Sequence, residues 1–453
     1  MFSEKQRPPS LTRRGGFLVL FVSAAWLVFW YPFTDINVIQ QQQHEHPLLN
    51  KTQHDSEVNE SPSAAATCDK NMSVYVYPLP AKFNLGLLRH CHNLNVHTDM
   101  CPHVANSGLG QPISSGGWFA TNQFTTEMIF HARVENHPCR TWDPALASLF
   151  YVPYYGGFHV SNKFRERNLT ARDELDVSLV DFIQAQPWWN KHNGKDHFVA
   201  LGRVVRDFIR KPNDRDYGAG RLLNLPAVKN MSVLIIERHP WQGKNQYGIP
   251  YPSYFHPSTS QEMAWWQNKM RKVRRPYLFS FIGAPRRKAA IRNEFIRQCG
   301  ESTRCKLLNC RTPDGHSKCG EPSEVLKVMT ESRFCLQAPG DSFTRRSTFD
   351  SVLAGCIPVF FSPHSAYTQY GWYLPGERSS YSVFIDQKSK ASERIEEELM
   401  KISSKKVKMM REKLLGLIPS LTYAHPNATN SGIGDAVDVA LVSLAKQVNK
   451  IIN

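Results

Sequence analysis

Twice along this chain, short runs of β-branched and aromatic residues alternate with longer stretches of helical apolar spacing, a rhythm that restricts the fold more than any other feature. The strand-like runs MSVYVYPLP, ASLFYVPYY, HFVALG and MSVLIIER are interleaved with the helix-like TNQFTTEMIFHARVE and DELDVSLVDFIQ. A stretch rich in Trp, Tyr, Pro and His follows, at about 240–275, and reads as a crossing segment. The alternation then resumes, with strands RPYLFSFIG, FCLQAP and CIPVFF between helices APRRKAAIRNEFIRQC, EVLKVMTESR and TRRSTFDSVLAG, the last closed by Gly355. Apolar strands joined through helices build parallel sheets covered on their faces. The reading is therefore α/β, with two successive lobes and ligands at the carboxyl ends of their strands, in the cleft between them.

With 453 residues, 41% hydrophobic and 21% charged, the chain is neither disordered, collagenous nor a coiled-coil rod. Only the uncharged run from Gly15 to Phe33 is long and apolar enough to span a bilayer, which excludes a polytopic membrane protein. Lys5, Arg7, Arg13 and Arg14 precede it and Asp35 follows, an asymmetry that keeps the N-terminus cytosolic and sends the rest across. This predicts a cytosolic tail at 1–14, a type II signal anchor at 15–33 and a polar, aperiodic stem at 34–67. A cleaved signal peptide is the competing reading; against it, the apolar run exceeds a usual signal core and Trp26, Phe29, Trp30 and Tyr31 crowd its far end.

Six Asn-x-Ser/Thr sequons follow the span and none precedes it. Asn59 is the poorest, since Pro62 follows its Ser61, leaving Asn50, Asn71, Asn168, Asn230 and Asn427 as expected glycosylation sites. All ten cysteines also lie beyond the span, where oxidation is permitted. Cys299, Cys305, Cys310 and Cys319, with His316 nearby, suggest either zinc or local disulfides; the lack of any C-x-x-C pair favours disulfides, and no metal site is assigned. The net charge of +16 is spread along the chain and lies across a membrane from nucleic acid, so nucleic-acid binding is not expected. The lysine-rich run DQKSKASERIEEELMKISSKKVKMMREKLLGLI reads as an amphipathic helix with a solvated charged face.

The segment SRFCLQAPGDSFTRRSTFDSVLAGCIPVFF, residues 332–361, carries the most chemistry. A buried strand runs into a turn at Gly340; Asp341 and Ser342 are placed to cap the next helix, with Arg345 and Arg346 in its first turn. Backbone N–H groups and guanidinium forks at one helix start suit phosphate oxygens, and Asp350, a turn further on, suits ribose hydroxyls. A capped helix with solvated arginines is the alternative. In FSFIGAPRRK a second strand ends at Gly283 before Arg286, Arg287 and Lys288, and two such loops in one lobe favour a nucleotide diphosphate site. Neither is a P-loop.

In the first lobe Glu127 and His131 sit four apart on a predicted helix, and Asp196 with His197 opens a strand. These are candidate bases, although a capping or core-satisfying group is the favoured reading of each. The pairs Trp188/Trp189 and Trp265/Trp266 offer sugar-stacking faces or core packing. Asp214 and Asp216 form a D-x-D in a polar loop with no strand before it, and are not taken as a cation site.

Together RPYLFSFIGAPRR, FCLQAPGDSFTRRSTFDSVLAGCIPVFF, HSAYTQYGWYLP, GWFATNQFTTEMIFHAR, FYVPYYGGF and DHFVALGR resemble the exostosin-like glycosyltransferase family 47 of plants, most closely its xyloglucan galactosyltransferase branch, over about residues 70–420. That resemblance implies a Golgi type II membrane enzyme of GT-B fold, with two Rossmann-like lobes around a cleft. The acceptor lobe would be 68–265, the nucleotide-sugar lobe 266–420 and a helical tail 421–453. It implies an inverting transfer of galactose from UDP-galactose, in β linkage, to xylosyl side chains of xyloglucan during wall hemicellulose synthesis. UDP-sugar is the co-substrate and no metal cofactor is implied. The donor would be held by Gly283, Arg286, Arg287, Gly340, Asp341, Ser342, Arg345, Arg346 and Asp350, and the base drawn from Glu127, Asp196 and His197. Partners would be the Golgi membrane, the hemicellulose acceptor and other wall glycosyltransferases. Two alternatives stay open: the same fold moving galacturonic acid or arabinose or acting on mannan, and a catalytically silent, glycan-binding relative.

Overall fold

A computed structural model of the chain describes residues 68, 72–211, 218–286, 290–428 and 432–452. The expected tail, anchor and stem, the Asp214/Asp216 pair, Arg287, Asn50, Asn59 and Asn71 lie outside the described residues. No helix among the described residues is long and apolar enough to cross a membrane.

The first lobe is built on β1 (Val74–Val76), β2 (Arg140–Thr141), β3 (Leu149–Tyr151), β4 (His197–Val204), β5 (Ser232–Glu237) and β6 (Gln246–Gly248). They form one sheet in the order β2-β1-β3-β4-β5-β6, every pair parallel. Both faces are covered, which is why β5, SVLIIE, is buried along its whole length. The strand period sorts the side chains: Leu149, Tyr151, Phe198, Ala200, Leu234 and Ile236 pack to one side with helix α1 (Thr126–Glu135). Phe150, Val199, Leu201, Val233 and Ile235 pack to the other with helix α2 (Leu169–Gln184), whose Asn168 cap accepts from the Thr170 and Ala171 N–H groups at 3.0 and 3.3 Å.

Helix α3 (Ser260–Lys272) closes the crossing segment. Its Trp266 indole N–H donates to the Leu353 carbonyl at 2.8 Å, so the helix packs on the second lobe as one piece. The lobe boundary expected between residues 265 and 266 therefore falls inside a helix. The second lobe has β7 (Tyr277–Gly283), β8 (Cys305–Asn309), β9 (Ser332–Gln337), β10 (Ile357–Phe360) and β11 (Val383–Phe384), all parallel, in the order β8-β7-β9-β10-β11. Helices α4 (Ala290–Glu301), α5 (Pro322–Thr330), α6 (Ser347–Leu353) and α7 (Ser404–Leu421) cover it. The chain leaves β7 toward β8 and returns across it to β9, so strand order reverses between β7 and β9, where an open α/β sheet leaves a crevice.

The lysine-rich run is two helices, Ile395–Met400 and α7, separated where the Ser403 hydroxyl caps α7 through the Lys406 N–H. The last helix, α8 (Ala436–Ile452), returns to the first lobe: Asp435 pairs with Arg133 at 2.7 Å and Asp438 with His137 at 2.9 Å. All ten cysteines are paired, as Cys68–Cys139, Cys91–Cys101, Cys299–Cys305, Cys310–Cys319 and Cys335–Cys356. The clustered four thus form two local disulfides. His92 beside Cys91 and Cys101 completes the one candidate metal grouping among the described residues, and both its sulfurs are committed to a disulfide. Asn168, Asn230 and Asn427 are exposed.

Candidate active site

Between the lobes lies a cavity of about 570 Å³, bounded by residues that follow β4, β7 and β9 and by the start of the segment leading into α1. It sits at the reversal between β7 and β9, where both strands end. Its lining includes Arg203 and Arg206 from the first lobe and Arg286, Arg292, Arg345 and Arg346 from the second, against two carboxylates, Asp207 and Asp341. Six guanidinium groups around one cavity favour an anion with several oxygens.

Glycine makes room for two of these cations. A Cβ on Gly340 would stand 1.6 Å from Arg345 Nη2, and one on Gly283 would stand 2.4 Å from Arg292 Nη2. Each glycine ends a strand-to-loop turn and lets a guanidinium lie flat on the backbone. Arg345 Nη1 donates to Ser342 Oγ at 3.0 Å and to the Thr344 carbonyl at 2.6 Å; Arg292 Nε donates to the Ala284 carbonyl at 3.0 Å. Burial, together with the charges of Arg345 and Arg286, pushes the Arg292 guanidinium down to about 10. The cleft thus holds mutually repelling cations in fixed positions. Arg286 reaches Asp341 at 3.6 Å, with both side chains mostly exposed at the rim.

The loop carrying Arg345 is shaped from the other lobe. Glu237, buried at the end of β5, accepts from the Thr344 N–H at 2.7 Å and its hydroxyl at 2.6 Å, and Tyr251 OH meets the same hydroxyl at 3.1 Å. Held this way, residues 341–346 are not helical: α6 begins only at Ser347 and has no side-chain cap. Asp341 and Ser342 do not cap it, and Arg345 and Arg346 precede it. The anion-attracting element is the guanidinium cluster, not a helix start.

Arg346 lines the cleft and also joins the lobes, its Nη1 donating to the Thr121 carbonyl at 2.6 Å and its guanidinium lying 3.6 Å from the Tyr254 ring centre, while its Nη2 is buried without a hydrogen bond. Asp350, expected at a ribose, is instead buried: it accepts from the Ser253 hydroxyl at 2.5 Å and pairs with Arg346 at 3.4 Å. Burial raises its carboxyl above the ordinary carboxylate range against the pull of Arg346.

None of the three expected bases faces this cavity. Glu127 is fully buried and accepts from the N–H groups of Gly157 and Phe158, both at 2.9 Å, and of Gly202 at 3.1 Å. It anchors the backbone under the cleft floor. Asp196 and His197 stand at the opposite, starting end of β4, where His197 Nδ1 meets Asp196 at 2.7 Å and Nε2 meets Tyr77 OH at 2.8 Å inside the core. His131 is bound to Tyr155 OH at 2.9 Å. Trp189 and Trp266 are buried, Trp188 stacks on Phe150, and Trp265 alone of the four is largely exposed.

Arg203, Arg292, Glu237, Thr344 and Tyr251 escaped the sequence reading. A signal existed for two of them. Glu237 is a lone acid ending a buried strand, where crevices open, and Arg203 directly follows HFVALG at the same end of the sheet. Arg292 had none, because its reach depends on the missing side chain of Gly283.

Two parallel-sheet lobes facing each other across a cationic cleft at their strand ends define a protein built to take an oxyanion-bearing ligand between lobes. Residues 68–399 match the Exostosin GT47 domain. The chain belongs to the exostosin GT47 family of glycosyltransferases. It is 61% identical over 390 residues to the probable xyloglucan galactosyltransferase GT17 of Arabidopsis thaliana, covering 85% of each chain. With the xyloglucan galactosyltransferase MUR3 of the same plant it shares 45% over 389 residues, covering 83% of this chain and 62% of that one. A glycosyltransferase structure from Rickettsia africae ESF-5 aligns at a TM-score of 0.33 and 10% identity over 84% of this chain and 98% of that one.

Proposed function

We propose that this protein is an inverting transferase of GT-B architecture that moves galactose from UDP-galactose, in β linkage, to xylosyl side chains of xyloglucan. The six-guanidinium cleft at the β7/β9 reversal is the observation that carries the reading, because departing UDP develops charge on its diphosphate and fixed cations stabilise that charge without reorganising. Identity to proteins named xyloglucan galactosyltransferases supports the sugar and the acceptor. Arg286, Arg292 and Arg345 hold the diphosphate from the donor lobe, and Arg203 faces it from the acceptor lobe. The proton of the attacking hydroxyl goes to Asp207, the carboxylate that the first lobe brings to the cleft and that Arg203 Nε orients at 2.8 Å. In a single displacement that hydroxyl attacks the anomeric carbon as UDP leaves from the opposite face.

Charge neutralisation falls to guanidinium groups, so turnover is expected to survive EDTA. The single-span anchor and Golgi-lumenal placement belong to the same proposal, supported by five disulfides and by sequons confined to the far side of the apolar run. The test is to offer the full-length protein in detergent a panel of UDP-sugars with xyloglucan oligosaccharides and weigh the products. One added hexose with UDP-galactose, lost in Arg345→Ala and strongly slowed at unchanged KM in Asp207→Asn, is the expected result. Addition of a uronic acid or pentose would overturn the galactose assignment, and bound UDP without transfer would overturn the enzymatic one.

A further inference from the structure

A cavity of about 970 Å³ lies at the opposite end of the second lobe, against the starts of β7 and β9. The strands put roughly 20 Å between it and the cleft. Seven basic side chains and one carboxylate line it. Glu412, that carboxylate, is already paired with Arg271 at 3.0 Å. Arg274, Arg333, Lys408 and Arg411 have no ion-pair partner among the described residues, and Arg411 Nε is buried without a hydrogen bond. Arg275 is buried and pinned, donating to the carbonyls of Met329, Ser332, Met270 and Ala354, so its charge cannot swing away to solvent. Burial and the Arg411 charge push the Arg275 guanidinium down to about 9, and burial with Arg333 lowers that of Arg411.

We propose that this cavity is a second anion site, which takes a compact phosphate-bearing group between Arg333, Lys408 and Arg411, with the pinned charge of Arg275 behind them. Fixed, mutually repelling cations around a concave space are stabilised by a ligand with several negative oxygens, and arginine forks match phosphate. The one aromatic residue in the lining, Phe334, is fully buried and offers no open face on which a sugar ring would stack, which favours a compact phosphate over an acidic glycan. The lysine-rich helix α7 thus contributes Lys408 and Arg411 to a site, beyond the solvated face read from its sequence.

The test uses the full-length protein in detergent with UDP at saturation, titrated calorimetrically with inorganic pyrophosphate. Binding is expected, weakened about ten-fold or more in Arg411→Ala and in Arg333→Ala/Lys408→Ala, each removing charge-assisted hydrogen bonds, and unchanged in Arg345→Ala. Arg333 and Lys408 are exposed, so that double variant keeps the test decisive if Arg411→Ala fails to fold. No binding beside UDP, equal binding by the double variant, or tighter binding of oligogalacturonate than pyrophosphate at these residues would overturn the proposal. Displacement by a short-chain phosphatidylinositol phosphate more tightly than by the matching inositol phosphate would assign the group to a lipid headgroup. Equal displacement would assign it to free phosphate.

Discussion

At the scale of single residues, glycine and arginine act as a unit at the cleft. Arg345→Ala should lower kcat/KM about 100-fold, the loss typical when one donor to a developing anion is removed, and Arg345→Lys should not restore it because an ammonium lacks the fork. Gly340→Ala should fold normally yet lose comparable activity. The atom its Cβ meets is the end of a flexible side chain, which swings away and takes the charge with it. Glu127 makes a different prediction. Burial, outweighing its three backbone donors, lifts its carboxyl from 4.5 to about 7. The folded state therefore holds the proton where the unfolded chain has released it, and stability contributed by this group declines as pH rises from about 4.5 to 7. Urea midpoints at pH 5 and 7.5 should diverge in the parent and less in Glu127→Gln, which cannot ionise.

At the scale of elements, one strand end shapes the donor loop of the other lobe. Glu237 closes β5 and takes both Thr344 donors, so Glu237→Ala leaves two buried donors unsatisfied. A loss of about 2–4 kcal/mol in chemical denaturation, with a raised KM for the UDP-sugar, is the expected outcome. The elements themselves were legible: TNQFTTEMIFHARVE contains α1, and SRFCLQ of the 332–361 segment is β9. The start of α6 was not. Its sequence offers Asp341 and Ser342 as ordinary caps, and only the pull of Glu237, distant in sequence, keeps 341–346 out of the helix. Likewise the lysine-rich run reads as one helix until the Ser403 cap divides it.

At the scale of the molecule, the chain's end secures its beginning. Asp435 is fully buried, pairs with Arg133 of α1 and accepts from the Ala424 and Val437 N–H groups at 2.9 and 3.0 Å. Asp435→Ala strands a buried guanidinium and should cost about 3–5 kcal/mol, read as a lowered melting temperature. The sequence by itself determined the α/β class, the two lobes and the two loops that present arginine, because strand and helix periodicity and strand-ending glycines are local properties, and its six separated motifs carried the family resemblance. Which acids reach the cleft was decided only by tertiary structure. A carboxylate's role follows from the donors around it: those of Glu127 and the Ser253 hydroxyl on Asp350 come from other elements, Asp196 is buried against its neighbour His197, and Asp207 is brought to the cavity wall.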